Sequence, residues 1–236
     1  MRRNLLPLPV LASFAVACAQ DLDVHIRGGD RPPDPGYLIF ADAINVDGGV
    51  SVDTFQVVMR NLRLQSQPID GGVDTPGGVY VGPGPFLINL AGEELTGGTF
   101  TPLVTEYAIG AKGFYEMDID LLPASQGDVA LKPSLAPMLG KTFVISGRNQ
   151  QGVPFTFESS MAAVLVRESV FRMGMNHNNI DVNIAPNTWF VHPDGGAPLD
   201  PASTDPAVRA QIEANVAASI DAYEDDDMNG IPDPLG

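Results

Sequence analysis

Strict alternation of apolar and polar side chains is the feature that most constrains the fold of this 236-residue chain. In "GFYEMDIDLL", from Tyr115 to Leu121, every second residue is apolar and the residues between them are acidic. The apolar set is Tyr115, Met117, Ile119 and Leu121, and the acidic set is Glu116, Asp118 and Asp120. A period of two residues places the two sets on opposite faces of a strand. We therefore predict a half-buried antiparallel strand whose acidic face meets solvent.

Further strand patterns recur at short spacing. In "TFQVVMRNLRLQ" the apolar side chains change parity, which predicts a bulge near residues 60–61. The segment "KTFVISGRNQQGVPFTFES" predicts a hairpin that turns at residues 149–152, and "NNIDVNIA" predicts one more alternating strand. The 25 glycines and 21 prolines lie among these short runs, as turn residues do. The fold class we expect is mainly β, an antiparallel β-sandwich spanning residues 37–200.

One helix is predicted near the C-terminus, within residues 201–224. Asp205 stands at a capping position and Pro206 at the first helical position. An apolar stripe follows, which would pack this helix against the sheet. The stripe consists of Val208, Ile212, Val216, Ile220 and Tyr223.

The N-terminus has the pattern of a bacterial export signal over residues 1–17: two arginines, an apolar run and then small residues. The sequence Ala-Val-Ala before Cys18 resembles a lipobox, although an ordinary cleavage site after Ala17 or Ala19 is the alternative. Cys18 is the one cysteine of the chain and stands where a lipid would be attached, which favours lipidation. Ala19 after this cysteine goes with outer-membrane placement in the resembled lipoproteins. Residues 18–36 are interpreted as a tether that holds at most a short strand at residues 24–27.

Charge and motifs exclude several functions. The formal net charge of −16 argues against nucleic-acid binding, which needs clustered cations. No nucleophile elbow, phosphate loop or dinucleotide fingerprint is present in the sequence. We therefore do not expect an enzyme, and the membrane is the one partner the sequence predicts, through the lipid anchor alone.

The C-terminal segment "DDDMNGIPD", within residues 225–236, has oxygen-bearing side chains on alternate residues. In the register of a calcium loop the ligands would be Asp225, Asp227, Asn229, the Ile231 carbonyl and Asp233. Gly230 would occupy the sharp bend of that loop. The segment resembles the Asp-x-Asp-x-Asn-Gly-Ile-Pro-Asp loops of thrombospondin type 3 and EF-hand-like repeats. Position 12, a bidentate Glu in EF-hands, is Gly236 here, so a terminal carboxylate or a borrowed acid would have to serve. A solvated acidic tail is the alternative.

A second candidate metal site lies in "FRMGMNHNN". In an extended chain Met173, Met175 and His177 project from one side, and His192 follows a short way on. Thioethers and imidazoles are soft ligands that suit copper(I). Methionines that fill gaps in the core are the alternative. A periplasmic copper-binding protein is therefore the second function we consider.

Several strings of the mature chain resemble an uncharacterised group of bacterial envelope lipoproteins. These strings are "VVMRNLRL", "GPFLINLAG", "NIDVNIAPNTWF", "LDPAS" and "NVAASIDAYEDDDMNG". The resemblance implies a β-sandwich, a Trp-Phe segment after the last strand, and a helix that runs into an Asp-rich loop. It implies no activity. The function we expect is a lipid-anchored, calcium-binding, non-catalytic binding or structural module of the cell envelope.

Overall fold

The computed structural model describes residues 20–28, 45–46, 49–67, 79–96, 101–109, 113–173 and 178–229. Within these residues the chain forms twelve strands, two α-helices and three short 3-10 segments. The strands are β1 Gln20–Gly28, β2 Asn45–Val46, β3 Val50–Gln67, β4 Val79–Gly82, β5 Phe86–Ala91, β6 Thr101–Ile109, β7 Gly113–Leu121, β8 Phe143–Arg148, β9 Pro154–Ser159, β10 Ala163–Met173, β11 Asn178–Ile184 and β12 Ile220–Glu224. The helices are α1 Gln126–Leu131 and α2 Pro206–Ser219, and the 3-10 segments are Gly92–Thr96, Pro133–Met138 and Pro186–Thr188.

The strands form two sheets that share one apolar core. The larger sheet has the order β10-β7-β3-β8-β9, with β2, β4 and β5 also paired to β3. The smaller sheet has the order β12-β11-β1-β6. Leu22 and Val182 of the smaller sheet belong to the same buried cluster as Phe55 and Ile145 of the larger one. The prediction of a mainly β, sandwich-like fold with a helix against it is confirmed.

Strand β7 follows the predicted alternation, but of its three acidic residues only Glu116 is partly exposed. Tyr115, Met117, Ile119 and Leu121 are buried in the core as predicted. Asp118 and Asp120, however, are only 9% and 8% exposed. They are covered because Arg63 of the neighbouring β3 lies 3.6 Å from the Asp118 carboxylate and 3.0 Å from that of Asp120. An ion-paired polar layer thus replaces the predicted solvent-facing row.

The predicted bulge lies in β3. The register of β3 against β7 shifts between Arg60 and Arg63, and Asn61 has a φ of 47°, in the left-handed region. The predicted hairpin is formed by β8 and β9, with Gly152 in the left-handed region at its turn. Both features are local in sequence, which is why the pattern of side chains predicts them.

The tether predicted over residues 18–36 is corrected by β1. Residues Gln20–Gly28 lie inside the smaller sheet, parallel to β11 on one side and antiparallel to β6 on the other. Leu22, Val24 and Ile26 point into the core. His25 and Arg27, on the opposite face, are also largely buried. Residues 20–28 therefore form a central strand with both faces covered, although their polar residues predicted a tether.

Candidate metal centre

Helix α2 delivers the C-terminal acidic segment to the edge of the smaller sheet. Asp205 caps the helix by accepting a hydrogen bond from the Ala207 amide at 2.8 Å, and Pro206 is its first residue, as predicted. The helix ends at Ser219, so the prediction of a helix through residue 224 is corrected. Residues Ile220–Glu224 instead form the edge strand β12, antiparallel to β11. In the strand, backbone N–H and C=O groups of residues 220–224 form hydrogen bonds with β11. In a longer helix, the C=O groups of its last turn would lack partners within the helix.

The acidic segment folds into a closed turn directly after β12. The Met228 amide donates to the Asp225 carbonyl at 3.2 Å, and Met228 has a φ of 55°. The Asn229 amide donates to Asp225 Oδ1 at 3.0 Å and to Asp227 Oδ1 at 3.2 Å. The side-chain amide of Asn229 donates to Asp227 Oδ2 at 2.8 Å. Three of the predicted calcium ligands, at positions 1, 3 and 5 of the loop, are thus drawn together.

Asn179 of β11 fastens this turn to the sheet. The Asp225 amide donates to the Asn179 carbonyl at 3.0 Å, which extends the β11–β12 ladder by one residue. The Asn179 amide donates to Asp226 Oδ1 at 2.9 Å, and its side-chain Nδ2 donates to the Asp226 carbonyl at 3.0 Å. The start of the acidic segment is therefore held by the sheet, and Asp225 is 1% exposed.

A buried polar cluster lies beside the turn, on the face of the smaller sheet that points away from the core. Asp181 of β11 is at its centre and is 1% exposed. Its Oδ2 lies 3.1 Å from Arg27 Nε and accepts a hydrogen bond from the Tyr223 hydroxyl at 2.8 Å. Arg27 Nε also donates to Asn183 Oδ1 at 3.1 Å. Strands β1, β11 and β12 each contribute to this cluster.

Burial dominates the electrostatics of Asp181. Loss of hydration raises the pKa of Asp181 to about 7, against the opposing effects of the Tyr223 hydrogen bond and the Arg27 charge. The negative charge of Asp225 raises the pKa of Asp181 further, so the two carboxyl groups are electrostatic neighbours. Burial, followed by the charge of Asp181, raises the pKa of the Tyr223 hydroxyl. Burial therefore disfavours the charged forms of both Asp181 and Tyr223.

The donor atoms here fit a hard cation such as calcium. Among the residues that the structure describes, no three His, Cys, Asp or Glu side chains lie close enough together to hold a metal ion by themselves. Calcium also takes amide and carbonyl oxygens, which the turn and Asn179 offer in addition to the carboxylates of Asp225 and Asp227. The remaining predicted ligands, Ile231 and Asp233, lie outside the described residues.

The predicted copper ligands are only partly covered by the structure. Met175 and His177 lie outside the described residues, and Met173 is described as the last residue of β10. The Nδ1 atom of His192 accepts a hydrogen bond from the Asp194 amide at 3.2 Å. Trp189, close by in sequence, is fully buried and packs on Phe55. The copper site stays a prediction, tested by uptake of copper(I) under reducing conditions and its loss in Met175→Leu.

Sequence reasoning missed the residues that the smaller sheet adds to the site. Asn179, Asp181 and Asn183 alternate with Ile180, Val182 and Ile184 along β11, and this alternation was visible. It predicted an alternating strand and no binding site. The signal that could have found the site is a second strand, β1, in which Asp23, His25 and Arg27 alternate in the same way. Complementary charges on two such strands indicate a paired polar layer.

Comparison with known proteins identifies no relative: no family model, no curated protein and no solved structure matches the chain. In the described part of the chain, neither helix has the length and apolar character needed to cross a membrane.

Proposed function

We propose that this chain is a lipid-anchored, calcium-binding module of the bacterial cell envelope, with a non-catalytic binding or structural role. The observation that carries the calcium assignment is the turn after β12. In it the amide of Asn229 donates to the carboxylates of both Asp225 and Asp227. A flexible acidic tail would have its carboxylates apart, because like charges repel. A turn that holds the two carboxylates close together is favourable when a cation binds between them and offsets their repulsion.

The loop has the ligand chemistry of an extracellular calcium site. Alternate oxygen ligands converge on one hard cation, and calcium tolerates their irregular geometry. With a missing bidentate ligand at position 12, we expect a dissociation constant of about 10⁻⁴–10⁻³ M, as in extracellular modules. Binding would then stabilise the junction of α2, β12 and the turn.

The experiment is a thermal unfolding titration of the wild-type protein with calcium against EDTA. At about 10 mM calcium, the expected affinity stabilises the folded state by roughly 1–3 kcal/mol. For a chain of this size the melting temperature should rise by roughly 3–10 °C. Magnesium should give a smaller rise because it keeps its own waters and demands octahedral geometry.

Asp227→Asn is the variant to compare, because Asp227 is exposed and its replacement should not disturb the core. It removes one charged ligand, and the rise in melting temperature with calcium should shrink. Asp53→Asn is the matched control, with the same loss of charge at an exposed position of β3. A wild-type melting curve that is unchanged at millimolar calcium would show that the acids are only a solvated segment.

The lipid anchor and the location rest on the sequence of the N-terminus. Cys18 follows the export signal and lies two residues before the start of β1, outside the described residues. An unpaired thiol at that position of an exported protein has one evident use, which is acylation. The resemblance to envelope lipoproteins supports the outer membrane as the location.

A further inference from the structure

A cavity of about 420 Å³ lies where an edge of the larger sheet faces an edge of the smaller one. It is lined by residues 86–90 of β5, by Pro102 and Leu103 of β6, and by Lys132. Among the described strands, β5 pairs with β3 alone and β6 pairs with β1 alone. The volume is within the range of cavities that bind ligands.

The edge of β5, and not only its side chains, lines this cavity. Successive side chains of a strand point to opposite faces of the sheet. Residues 86–90 are consecutive, so they can all line one cavity only if the cavity runs along the edge of the strand. The backbone groups on that edge are then part of the lining.

The hydrogen bonds around β3 show which backbone groups of β5 point to the cavity. The Val58 amide donates to the Thr142 carbonyl at 2.8 Å, on the side of β3 where β8 lies. Because N–H groups alternate in direction along a strand, that of the preceding residue points to β5, where Ile88 is its partner. The backbone groups of Ile88 are therefore bonded to β3. Those of its two neighbours, Leu87 and Asn89, point away from β3.

The end of β5 agrees with this alternation. The Ala91 amide, which has the same direction as those of Leu87 and Asn89, donates to Glu94 Oε2 at 3.1 Å. Leu87 and Asn89 thus present two N–H and two C=O groups along the cavity, and none of the described strands pairs with them. A row of such groups on a strand edge is a template for one more strand.

The side chains beside this edge define what an added strand would carry. Ile88 and Leu90 are buried in the core, and Phe86 and Leu103 are half-buried and pack against it. Every second side chain of an added strand would point between the sheets and contact these four residues. Those side chains should therefore be apolar.

Lys132 lies at one end of the edge. Its Nζ donates to the carbonyl of Pro85, the residue before β5, at 3.1 Å. Within the described residues Lys132 forms no ion pair. An ammonium group has three donors, so Lys132 can also bind a carboxylate. A strand that paired antiparallel with β5 would run toward Phe86 and bring its C-terminal end to Lys132.

We propose that β5 binds the extended C-terminal segment of another polypeptide, which pairs antiparallel with Leu87 and Asn89 and places its terminal carboxylate against Lys132. In this mode of recognition, main-chain hydrogen bonds provide affinity and alternate side chains provide specificity. The interaction gives the binding module a protein partner. It uses none of the residues of the calcium turn, so it is independent of the calcium assignment.

The first test titrates isotope-labelled protein with the peptide acetyl-TVTVTV and follows the amide chemical shifts. The signals of Leu87 and Asn89 should shift and saturate. The same peptide with a C-terminal amide should bind about two- to fivefold more weakly, as expected for the loss of one exposed ion pair. Lys132→Gln should bind both peptides equally. Lys141→Gln is the matched control and should keep the difference, because Lys141 is paired with Glu158. Equal binding of the two peptides to wild type would overturn the inference.

The second test changes the edge itself. Asn89→Pro removes the N–H that points to the cavity but no hydrogen bond to β3, so the variant should fold. Its affinity for acetyl-TVTVTV should fall at least about fivefold, because one hydrogen bond is lost and the proline ring stands in its place. Asn89→Ala loses the same side chain, with its bond from Gln56 at 2.7 Å, but keeps the N–H. It should bind like wild type, and equal affinities of the two variants would overturn the inference.

Hydrogen exchange of the wild-type protein does not depend on the folding of a variant. In the free protein the amides of Leu87 and Asn89 should exchange rapidly and that of Ile88 slowly, and the peptide should slow the first two. Slow exchange of Leu87 and Asn89 in the free protein would show that the edge is already paired, by another part of the chain or by a second copy. Shifts at this edge with dodecanoate but not with the peptide would assign the cavity to an acyl chain. Either result would overturn the inference and leave the proposed calcium binding standing.

Discussion

At the scale of single residues, the indole of Trp189 depends on one hydroxyl group. Trp189 is fully buried, its ring lies 4.6 Å from that of Phe55, and its Nε1 donates to Ser219 Oγ at 2.7 Å. Ser219→Ala removes the acceptor and leaves a buried N–H unpaired. We expect a loss of about 1–3 kcal/mol in the free energy of unfolding, measured with urea. Ser160→Ala, at an exposed position, is the control, and equal effects of the two changes would contradict the prediction.

The two faces of β7 give a second prediction at this scale. Ile119 is fully buried, so Ile119→Ala should cost about 2–5 kcal/mol of unfolding free energy. Asp120 accepts from Asn61 at 2.6 Å and from Arg63 at 3.0 Å. Asp120→Ala removes the acceptor of both hydrogen bonds and should cost about 1–3 kcal/mol. The prediction is contradicted if urea unfolding gives Asp120→Ala a free energy of unfolding within about 0.5 kcal/mol of wild type. The polar layer would then contribute no more to stability than ordinary surface residues do.

At the scale of elements, the sequence predicts the secondary structure that is determined by residues close together in the chain. The strand β7, the β8–β9 hairpin and the start of α2 follow from alternation, a glycine turn and an Asp-Pro pair. The end of α2 could not be predicted, because Ile220 and Tyr223 continue the apolar stripe of the helix. Pairing with β11, more than 30 residues earlier in the chain, decides for the strand. Propensity yields to tertiary contacts in such cases.

The same distinction divides the candidate site. Asp225, Asp227 and Asn229 could be predicted because a calcium loop is local in sequence. Asn179 and Asp181 could not, because the chain brings them beside the loop only through the β11–β12 ladder. The burial of their polar face depends on the position of β1 inside the sheet. The sequence did not predict that position, because the polar residues of β1 indicated a tether.

Helix α2 provides the prediction at this scale. Asp205 caps its first turn, and Arg209 donates to the Glu158 carbonyl at 2.6 Å while its guanidinium lies 4.4 Å from the Phe157 ring centroid. Asp205→Ala removes the cap and should lower the unfolding free energy by about 0.5–2 kcal/mol. Thr204→Ala, one residue earlier and exposed, should change it little. Urea unfolding of the two variants decides, and equal midpoints would show that the cap is not needed.

At the scale of the whole molecule, the position of β1 sets how far an anchored body could stand from a membrane. Gln20, at the start of β1, is only two positions after Cys18, and two positions span at most about 7 Å. The tether predicted over residues 18–36 would have reached roughly 60 Å when extended. A lipid on Cys18 would therefore hold the smaller sheet close to the headgroups. That distance is within the Debye length of about 8 Å at physiological salt.

An acidic body at so short a distance would depend on the proposed lipid for membrane binding. The chain carries 29 Asp and Glu against 13 Lys and Arg, so anionic headgroups repel it. Cys18→Ser removes the proposed site of acylation and should move the protein from the membrane fraction to the soluble fraction of lysed cells. Ala19→Ser, a similar change at the next residue, should leave it with the membranes. Since Cys18 precedes β1, the released protein should keep the melting temperature of the anchored one in detergent. Membrane association of Cys18→Ser equal to that of wild type, or an unacylated N-terminus by mass spectrometry, would contradict the anchor.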